Sequence, residues 1–389
     1  MNRDLIIVGD TEKANQMRLG GLTVLERIIK SAKRAGFAQV FTIGEYQFNE
    51  NSTNECVFMD ANAIYDRSLF KTVQELDLTG LDVIQLADAP IRICSLRVLN
   101  QLIKENKTSG SVIDYIDSFS SSVKTKKTEI QNAWWRKIQN KEDVSLTEKF
   151  LNQKQIKPTD PFVSKYFNRP ISLFISRYLV RTSITPNQIT FGILILFGFP
   201  IPYFFSWGNY NGFLMGALFY HLASVLDGCD GEVARLKIMD SPFGEWLDTM
   251  TDMVFHVIFI GGLSFGVYQQ TKEFWPIIFG CISFITIFLI IFVLARFSAG
   301  ESRGTFDVFD QDYKKLTAKK GGFFNKLILF FHPIIKRANY TFLFLILALL
   351  GQAVGILYLF TFGPIVQLIF ILLSYKKVFF ARKSRLTAQ

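Results

Sequence analysis

Two regimes of apolar patterning meet near residue 187. Upstream, short apolar runs alternate with helical spacing. Leu5–Val8, Gln39–Ile43, Cys56–Met59 and Val83–Leu86 have the length and apolar content of buried strands. Between the first two, Leu22–Arg34 puts Val24, Leu25, Ile28, Ile29 and Ala32 on one helical face. Strand, helix, strand at this spacing predicts an α/β domain with a parallel sheet. From about 107 to 160 the chain turns Ser-, Lys- and Gln-rich around Trp134 and Trp135. The pattern assigns no element there, and the stretch is open between completion of the domain and a linker.

Downstream, six apolar stretches follow: Asn187–Trp207, Gly212–Leu226, Trp246–Tyr268, Phe274–Ala295, Tyr340–Phe360 and Phe362–Tyr375. A membrane helix needs about 20 apolar residues. Four stretches meet that directly, and the second and sixth must extend into polar flanks. The gaps near Gly208–Asn211 and Thr361 carry no charge, and the gap at Gln269–Glu273 carries only Lys272 and Glu273. The opposite side holds Arg235 and Lys237, the 296–337 loop with Lys314, Lys315, Lys319 and Lys320, and the tail from Lys376 to Arg385. Positive-inside charge then predicts six spans with both termini cytoplasmic, in the cell (plasma) membrane. The start, Met1 to Val8, passes straight into a strand-like run, which predicts a cytosolic N-terminus without a signal peptide. Just before the first span, Phe162–Leu179 mixes Phe162, Tyr166, Ile171 and Phe174 with Lys165, Arg169, Arg177 and, just beyond it, Arg181. That pattern predicts a basic amphipathic helix in the cytoplasmic interface, the alternative being a solvated linker helix.

Composition agrees with a chain of two characters. Hydrophobic residues make up 49%, aromatics 15% with 40 Phe, and the net charge is +10, at a mean hydropathy of +0.24. So much apolar material excludes simple disorder. Cys56, Cys94, Cys229 and Cys281 are scattered with no CxxC pair, which argues against a disulfide scaffold or a zinc site. The surplus charge is explained by topology and by attraction for anionic lipid and phosphate, with no nucleic-acid partner required.

The candidate chemistry lies between the second and third spans. Asp227, Asp230, Gly231, Ala234 and Arg235 recur at i, i+3, i+4, i+7 and i+8, and so share one helical face. Gly244, Asp248 and Asp252 step by four along another. Two antiparallel helices turning near Asp240–Pro242 would bring both stripes together, so that four carboxylates converge at the cytoplasmic edge. Such a cluster needs cations, and two hard divalent ions, Mg²⁺ or Mn²⁺, suit oxygen ligands shared with phosphates. Gly231, Ala234 and Gly244 leave that face open to a bulky nucleotide, and Arg235 offers a fixed cation to phosphate oxygens. An ion-transport site is the competing reading, but transporter sites lie near the midplane rather than at one edge.

The spacing D-x2-D-G-x2-A-R-x8-G-x3-D-x3-D resembles the signature of the CDP-alcohol phosphotransferase (CDP-alcohol phosphatidyltransferase) family at every named position. The lead-in from Lys157 through Asn168–Pro170 to Thr185–Thr190 is also similar, and the resemblance covers about 155–389. It implies an integral-membrane transferase moving a substituted phosphate group from a CDP-alcohol to a hydroxyl acceptor with release of CMP. It further implies that Asp227, Asp230 and Asp248 ligate the metals. Asp252 would be the general base and a possible fourth ligand, with Gly231, Ala234, Arg235 and Gly244 lining the CDP pocket. Asn187 is a further pocket candidate, or else a helix cap. The family implies a homodimer, and a role in phospholipid or polar-lipid biosynthesis.

Residues 1–140 resemble the nucleotidyltransferase-type, Rossmann-like α/β domain fused to some family members, including those that make CDP-inositol. An active version wraps the triphosphate in a Gly-rich loop after the first strand, whereas here Val8–Arg18 holds one glycine and two acids. Leu19–Leu22 reads as a turn and cap, and Asp82 and Asp88 as solvated strand-end acids. The expectation is a degenerate cytidylyltransferase-like domain (1–140), a linker with the juxtamembrane helix (141–186) and a six-span transferase domain (187–389). A bifunctional CDP-inositol synthase and inositol-phosphate condensing enzyme is the alternative. Arg169, Arg177, Lys336 and Arg337 are available for an acceptor phosphate or for lipid head groups.

Overall fold

The computed structural model describes residues 3–46, 55–86, 89–104, 112–119, 123–129, 133–157, 160–298 and 336–386. Asp88 and the lysines at 314, 315, 319 and 320 lie outside the described residues. The chain divides into two compact units: Met1–Gln155 with Leu236–Ile238, and Ile156–Arg235 with Met239–Gln389.

The strands of the first unit are β1 (Arg3–Val8), β2 (Arg18–Leu19), β3 (Leu22–Thr23), β4 (Gln39–Thr42) and β5 (Glu55–Asp60). They continue as β6 (Ala63–Tyr65), β7 (Val83–Leu86), β8 (Ile91–Cys94), β9 (Thr125–Thr128) and β10 (Trp135–Lys137). Between them run α1 (Thr11–Gln16), α2 (Val24–Ala35), α3 (Arg67–Glu75), α4 (Leu96–Lys104), α5 (Val112–Phe119) and finally α6 (Lys141–Gln155).

Six strands form one sheet in the order β4-β1-β5-β8-β7-β9. All four strands expected from the sequence are in it. The sheet is not purely parallel, because β8 runs against both β5 and β7. Its alternation, Ile91-Arg92-Ile93-Cys94, hides a strand behind a central arginine. That arginine is buried and paid for by a fork onto Asp117, at 2.5 and 2.6 Å. Both faces of the sheet are covered, which is why its strands read as unbroken apolar runs. Leu5, Ile7, Val57 and Met59 pack with Val24, Ile28 and Ala32 of α2. Ile6, Val8, Cys56 and Phe58 face Val98, Leu99 and Ile116 of α4 and α5. Helix α2 starts in a capping box between Thr23 and Glu26 and stops at Gly36, whose φ of +88° favours glycine. The poorly patterned stretch completes this unit at its margins. Strand β10 pairs antiparallel with β6, and Phe150 of α6 meets Trp134 edge-on at 4.8 Å.

The second unit is helical. A π-helical turn, Ser164–Asn168, leads into α7 (Arg169–Leu179). Then follow α8 (Pro186–Gly198), α9 (Pro200–Phe205), α10 (Tyr210–Lys237), α11 (Pro242–Thr271) and α12 (Trp275–Ser298), with α13 (Arg337–Leu349) and α14 (Ala353–Leu386) later in the chain. Among the described residues, four segments are long and apolar enough to cross a membrane: Pro186–Phe205, Tyr210–Lys237, Pro242–Thr271 and Trp275–Val293. Arg337–Leu349 and Ala353–Ile369 are shorter apolar helices. Small residues let the helices approach: a Cβ on Gly262 would come within 2.9 Å of the Pro202 backbone, and one on Gly216 would strike the Phe205 ring.

One expected boundary moves. The sequence reading breaks the last two apolar stretches at Thr361, whereas the structure breaks them at Leu350–Gln352, where Gly351 adopts φ +71°. Helix α14 runs straight through Thr361 despite Pro364. Proline cannot donate to the carbonyl four residues back, that of Phe360. Ser283 of α12 supplies the missing bond, its Oγ donating to Phe360 O at 2.8 Å. In an apolar setting an orphaned carbonyl would be costly, and this hydroxyl removes the reason to break the helix there.

Candidate active site

Helix α10 places its acidic stripe where the periodicity puts it, and α11 begins directly opposite. Ser241 caps α11, its Oγ accepting from Gly244 N at 3.0 Å, with Pro242 in the first turn. The two helices are joined deeper in the bundle by Tyr220 stacked on Phe259, with ring centres 4.1 Å apart.

Three of the four aspartates converge. One carboxylate oxygen from each of Asp227, Asp248 and Asp252 lies within 4.8 Å of the others, and all three residues are half-buried. Asp230 is placed differently. It is buried, its Oδ2 accepting from Thr190 Oγ1 of α8 at 2.5 Å and its Oδ1 from Gly231 N at 2.5 Å. Its oxygens are therefore committed to two donors, while those of the other three are more available.

The nucleotide-pocket candidates gather beside this group. Arg235 folds back over Gly231, so that a Cβ there would sit 3.1 Å from Nη1. Ala234 lies on the same face of α10, half-buried. The Asn187 amide oxygen would be 3.4 Å from a Cβ on Gly244, which ties the start of α8 to the start of α11. Asn187 is not the cap of α8. Thr185 fills that role through a capping box with Gln188, leaving the Asn187 side chain to face Gly244.

Two residues join this group that the sequence does not associate with it, Arg337 being read there as a cation for an acceptor phosphate or lipid head groups. Arg337, at the start of α13, is only 13% exposed in its side chain and forms ion pairs with Asp227 (3.1 Å) and Asp252. It also lies over the Phe255 ring at 5.4 Å. One turn on, Tyr340 donates its hydroxyl proton to His256 Nε2 at 2.7 Å, and His256 Nδ1–H donates to Asp252 O at 2.5 Å. Thr341 meets His221 of α10 at 3.1 Å. These contacts dock α13 on both acidic helices and hold the guanidinium over the carboxylates. Arg337 is 85 residues from Asp252 in sequence, so no spacing rule could associate them. The second contributor, Thr190, sits one turn inside α8, where a threonine ordinarily satisfies itself on the preceding turn.

The donor set is entirely hard oxygen. Three carboxylates this close repel one another, and Arg337 balances them only in part. Asp252 Oδ1 is buried and accepts no hydrogen bond beyond its ion pair. Such a group fits divalent cations. The site can therefore hold metal and phosphate together and offer a carboxylate to a proton.

Residues 183–373 match the family described as CDP-alcohol phosphatidyltransferase. Three curated relatives are each named bifunctional IPC transferase and DIPP synthase. The one from Aquifex aeolicus is 33% identical over 155 residues, covering 40% of this chain and 35% of the relative. That from Archaeoglobus fulgidus is 31% identical over 144 residues, 37% of this chain and 28% of the relative. A third, from Rubrobacter xylanophilus, is 29% identical over 184 residues, 46% of this chain and 41% of the relative. The similarity thus spans less than half the length of each of these relatives.

Proposed function

The C-terminal part of the chain is a domain of the CDP-alcohol phosphatidyltransferase family, and on that premise we propose that the protein transfers a substituted phosphate group from a CDP-alcohol to a hydroxyl acceptor, releasing CMP. The observation that carries this reading is the meeting of Asp227, Asp248 and Asp252, from two helices, within 4.8 Å.

In this mechanism Asp227, Asp230, Asp248 and Asp252 hold two divalent ions, Mg²⁺ or Mn²⁺. When bound, these ions neutralise diphosphate charge and polarise phosphorus. The chain's own groups do the rest. Gly231, Ala234 and Gly244 admit the nucleotide, while Arg235 and Asn187 orient its phosphates and base. Asp252 takes the proton of the acceptor hydroxyl as that oxygen bonds to the β-phosphorus. The bond from phosphorus to the bridging oxygen breaks, and CMP departs. Arg337 is a cation beside these aspartates, and on that ground we take the acceptor to be a polyol phosphate of the inositol-phosphate type rather than a neutral alcohol.

The wider reading follows. Residues 187–389 form six spans in the plasma membrane with both termini cytoplasmic, α13 and the apolar part of α14 supplying the fifth and sixth. Residues 141–186 carry the link and the juxtamembrane helix, and the enzyme works as a homodimer in contact with membrane lipid. Residues 1–140 are a nucleotidyltransferase-like domain without catalysis. Where a phosphate loop would wrap a triphosphate, Asp10 caps a short helix, α1, accepting from Lys13 N at 2.9 Å. The bifunctional alternative draws on the relatives' name and needs CDP-alcohol synthesis from CTP by this unit.

The test is product analysis by mass spectrometry. Purified full chain is incubated with Mg²⁺ and either a CDP-lipid or CDP-inositol, plus a panel of polyols and polyol phosphates. Divalent-dependent CMP with a phosphate-containing product supports the proposal. Asp-dependent ion uptake into vesicles with no CMP would favour a transporter instead.

A further inference from the structure

The acidic motif contains a fifth carboxylate, Glu232, that the aspartate chemistry does not use. On a helix advancing about 100° per residue it lies about 140° around from Asp227 and about 160° from Asp230, on the far side of α10. There it is fully buried, at 0% exposure. Its Oε1 accepts from Arg169 Nη1 and from Ser172 Oγ, both at 2.7 Å, and its Oε2 accepts from Ser176 Oγ at 2.7 Å. All three donors lie on α7. Arg169 is held in turn by Asp160 at 3.1 Å. Burial works against the Arg169 charge, yet Glu232 and Asp160 outweigh it and keep its pKa above the ordinary guanidinium value.

The seat around this contact is shaped for it. A Cβ on Gly228 would stand 3.3 Å from both Arg169 Nη1 and Ser172 Oγ, so a larger residue would make both side chains give by a few tenths of an ångström. Cys229 Sγ meets Ser172 O at 3.5 Å. Helix α7 is inside-out for an ordinary amphipathic helix: Ser172 and Ser176 are buried, whereas Ile171, Phe174 and Tyr178 are exposed. Its inner face combines this carboxylate seat with Ile175 and Leu179, which pack on the apolar core. A buried ion pair is a poor source of stability compared with apolar packing, and its best-attested use is to specify register.

We propose that Glu232 is a positioning residue, which through Arg169, Ser172 and Ser176 fixes the rotation of α10 so that Asp227 and Asp230 face α11. Turning α10 by one residue would strip three hydrogen bonds from a buried carboxylate. Residues 228, 229 and 232 therefore hold the helix from behind, while 227, 230 and 231 present the site in front. The inference rests on the aspartate group being the metal centre of the proposed transfer.

The experiment measures Mn²⁺ affinity by electron paramagnetic resonance on the purified full chain, alongside its melting curve. Glu232→Gln is expected to fold and to weaken Mn²⁺ binding at least about tenfold, the scale of losses when groups supporting metal ligands are removed. Ser176→Ala, which removes a single hydrogen bond, should weaken it about threefold. Cys281→Ser, on the exposed side of α12, should leave it unchanged. The deficit in CMP release should narrow as Mn²⁺ is raised, which a simple loss of folded protein would not produce. A folded Glu232→Gln protein with Mn²⁺ affinity within twofold of the parent overturns the proposal. If that variant does not fold, parent-like affinity in Ser176→Ala does so. Failure of the parent itself to bind Mn²⁺ overturns the metal-centre reading and the positioning role together.

Discussion

Replacing Arg337 with glutamine removes the charge that balances the aspartates and leaves a neutral, polar side chain two bonds shorter. At 3.1 Å and an effective dielectric near 20, its contact with Asp227 is worth about 5 kcal/mol of Coulomb energy. Two carboxylates 4.8 Å apart repel by about 3.5 kcal/mol on the same basis. The Asp227 and Asp252 side chains are 21% and 36% exposed, so water screens much of this. A net cost of about 2–3 kcal/mol in metal-free protein is the reasonable scale. For a unit of this size that corresponds to a loss of roughly 5–10 °C in melting temperature. Divalent ions supply the same positive charge, and at a hundred times Kd they stabilise by about 2.7 kcal/mol. Tryptophan-fluorescence melting in detergent, with EDTA or with Mg²⁺, reads both states. The expected result is a large deficit for Arg337→Gln in EDTA that shrinks to less than half in saturating Mg²⁺. Equal deficits in the two conditions would refute the idea that Arg337 and the metal answer the same charge.

Three further outcomes are expected. Ser283→Ala leaves the Phe360 carbonyl without its donor, and should destabilise the helical unit by about 1 kcal/mol, read as a lower melting temperature in lipid nanodiscs. Thr190→Val removes a donor to Asp230 and frees one of its oxygens; CMP release should fall while the fold persists, as judged by circular dichroism. Burial pushes the Cys56 thiol up to about 11 and Cys94 higher still, so the reactive thiolate is scarce at pH 8. Mass spectrometry after iodoacetamide treatment should find both unmodified in native protein and both alkylated after denaturation. Reactivity of Cys56 should rise as pH climbs towards 11, with Cys94 lagging behind it.

Where side chains recur with a clean period, the sequence sufficed. The two faces of α10 and α11 follow from i+3 and i+4 spacing, and the four buried strands from unbroken apolar runs. Reading failed where a tertiary partner decides. Strand β8 carries a buried Arg92 held by Asp117 and by the Ala89 and Ile91 carbonyls, and where α14 passes Pro364 Ser283 donates to Phe360 O. Arg337 reaches the aspartates from far along the sequence. Period alone puts Glu232 on the other side of α10 from Asp227 and Asp230, but says nothing of Arg169, Ser172 and Ser176 waiting there. The margin of the α/β unit, with β9, β10 and α6, is polar enough that neighbours rather than propensity define it.

The most direct measurement is CMP release by the purified full chain from a CDP-alcohol donor with a polyol-phosphate acceptor, at saturating Mg²⁺, compared with Asp248→Asn. Removing one of three converging carboxylates should lower turnover at least about a hundredfold, the scale of losing an electrostatic contact to the transition state. The melting curve in EDTA should stay close to that of the parent. Substantial CMP release by Asp248→Asn, or none by the parent with any donor, would contradict the assignment of this aspartate group as the catalytic centre.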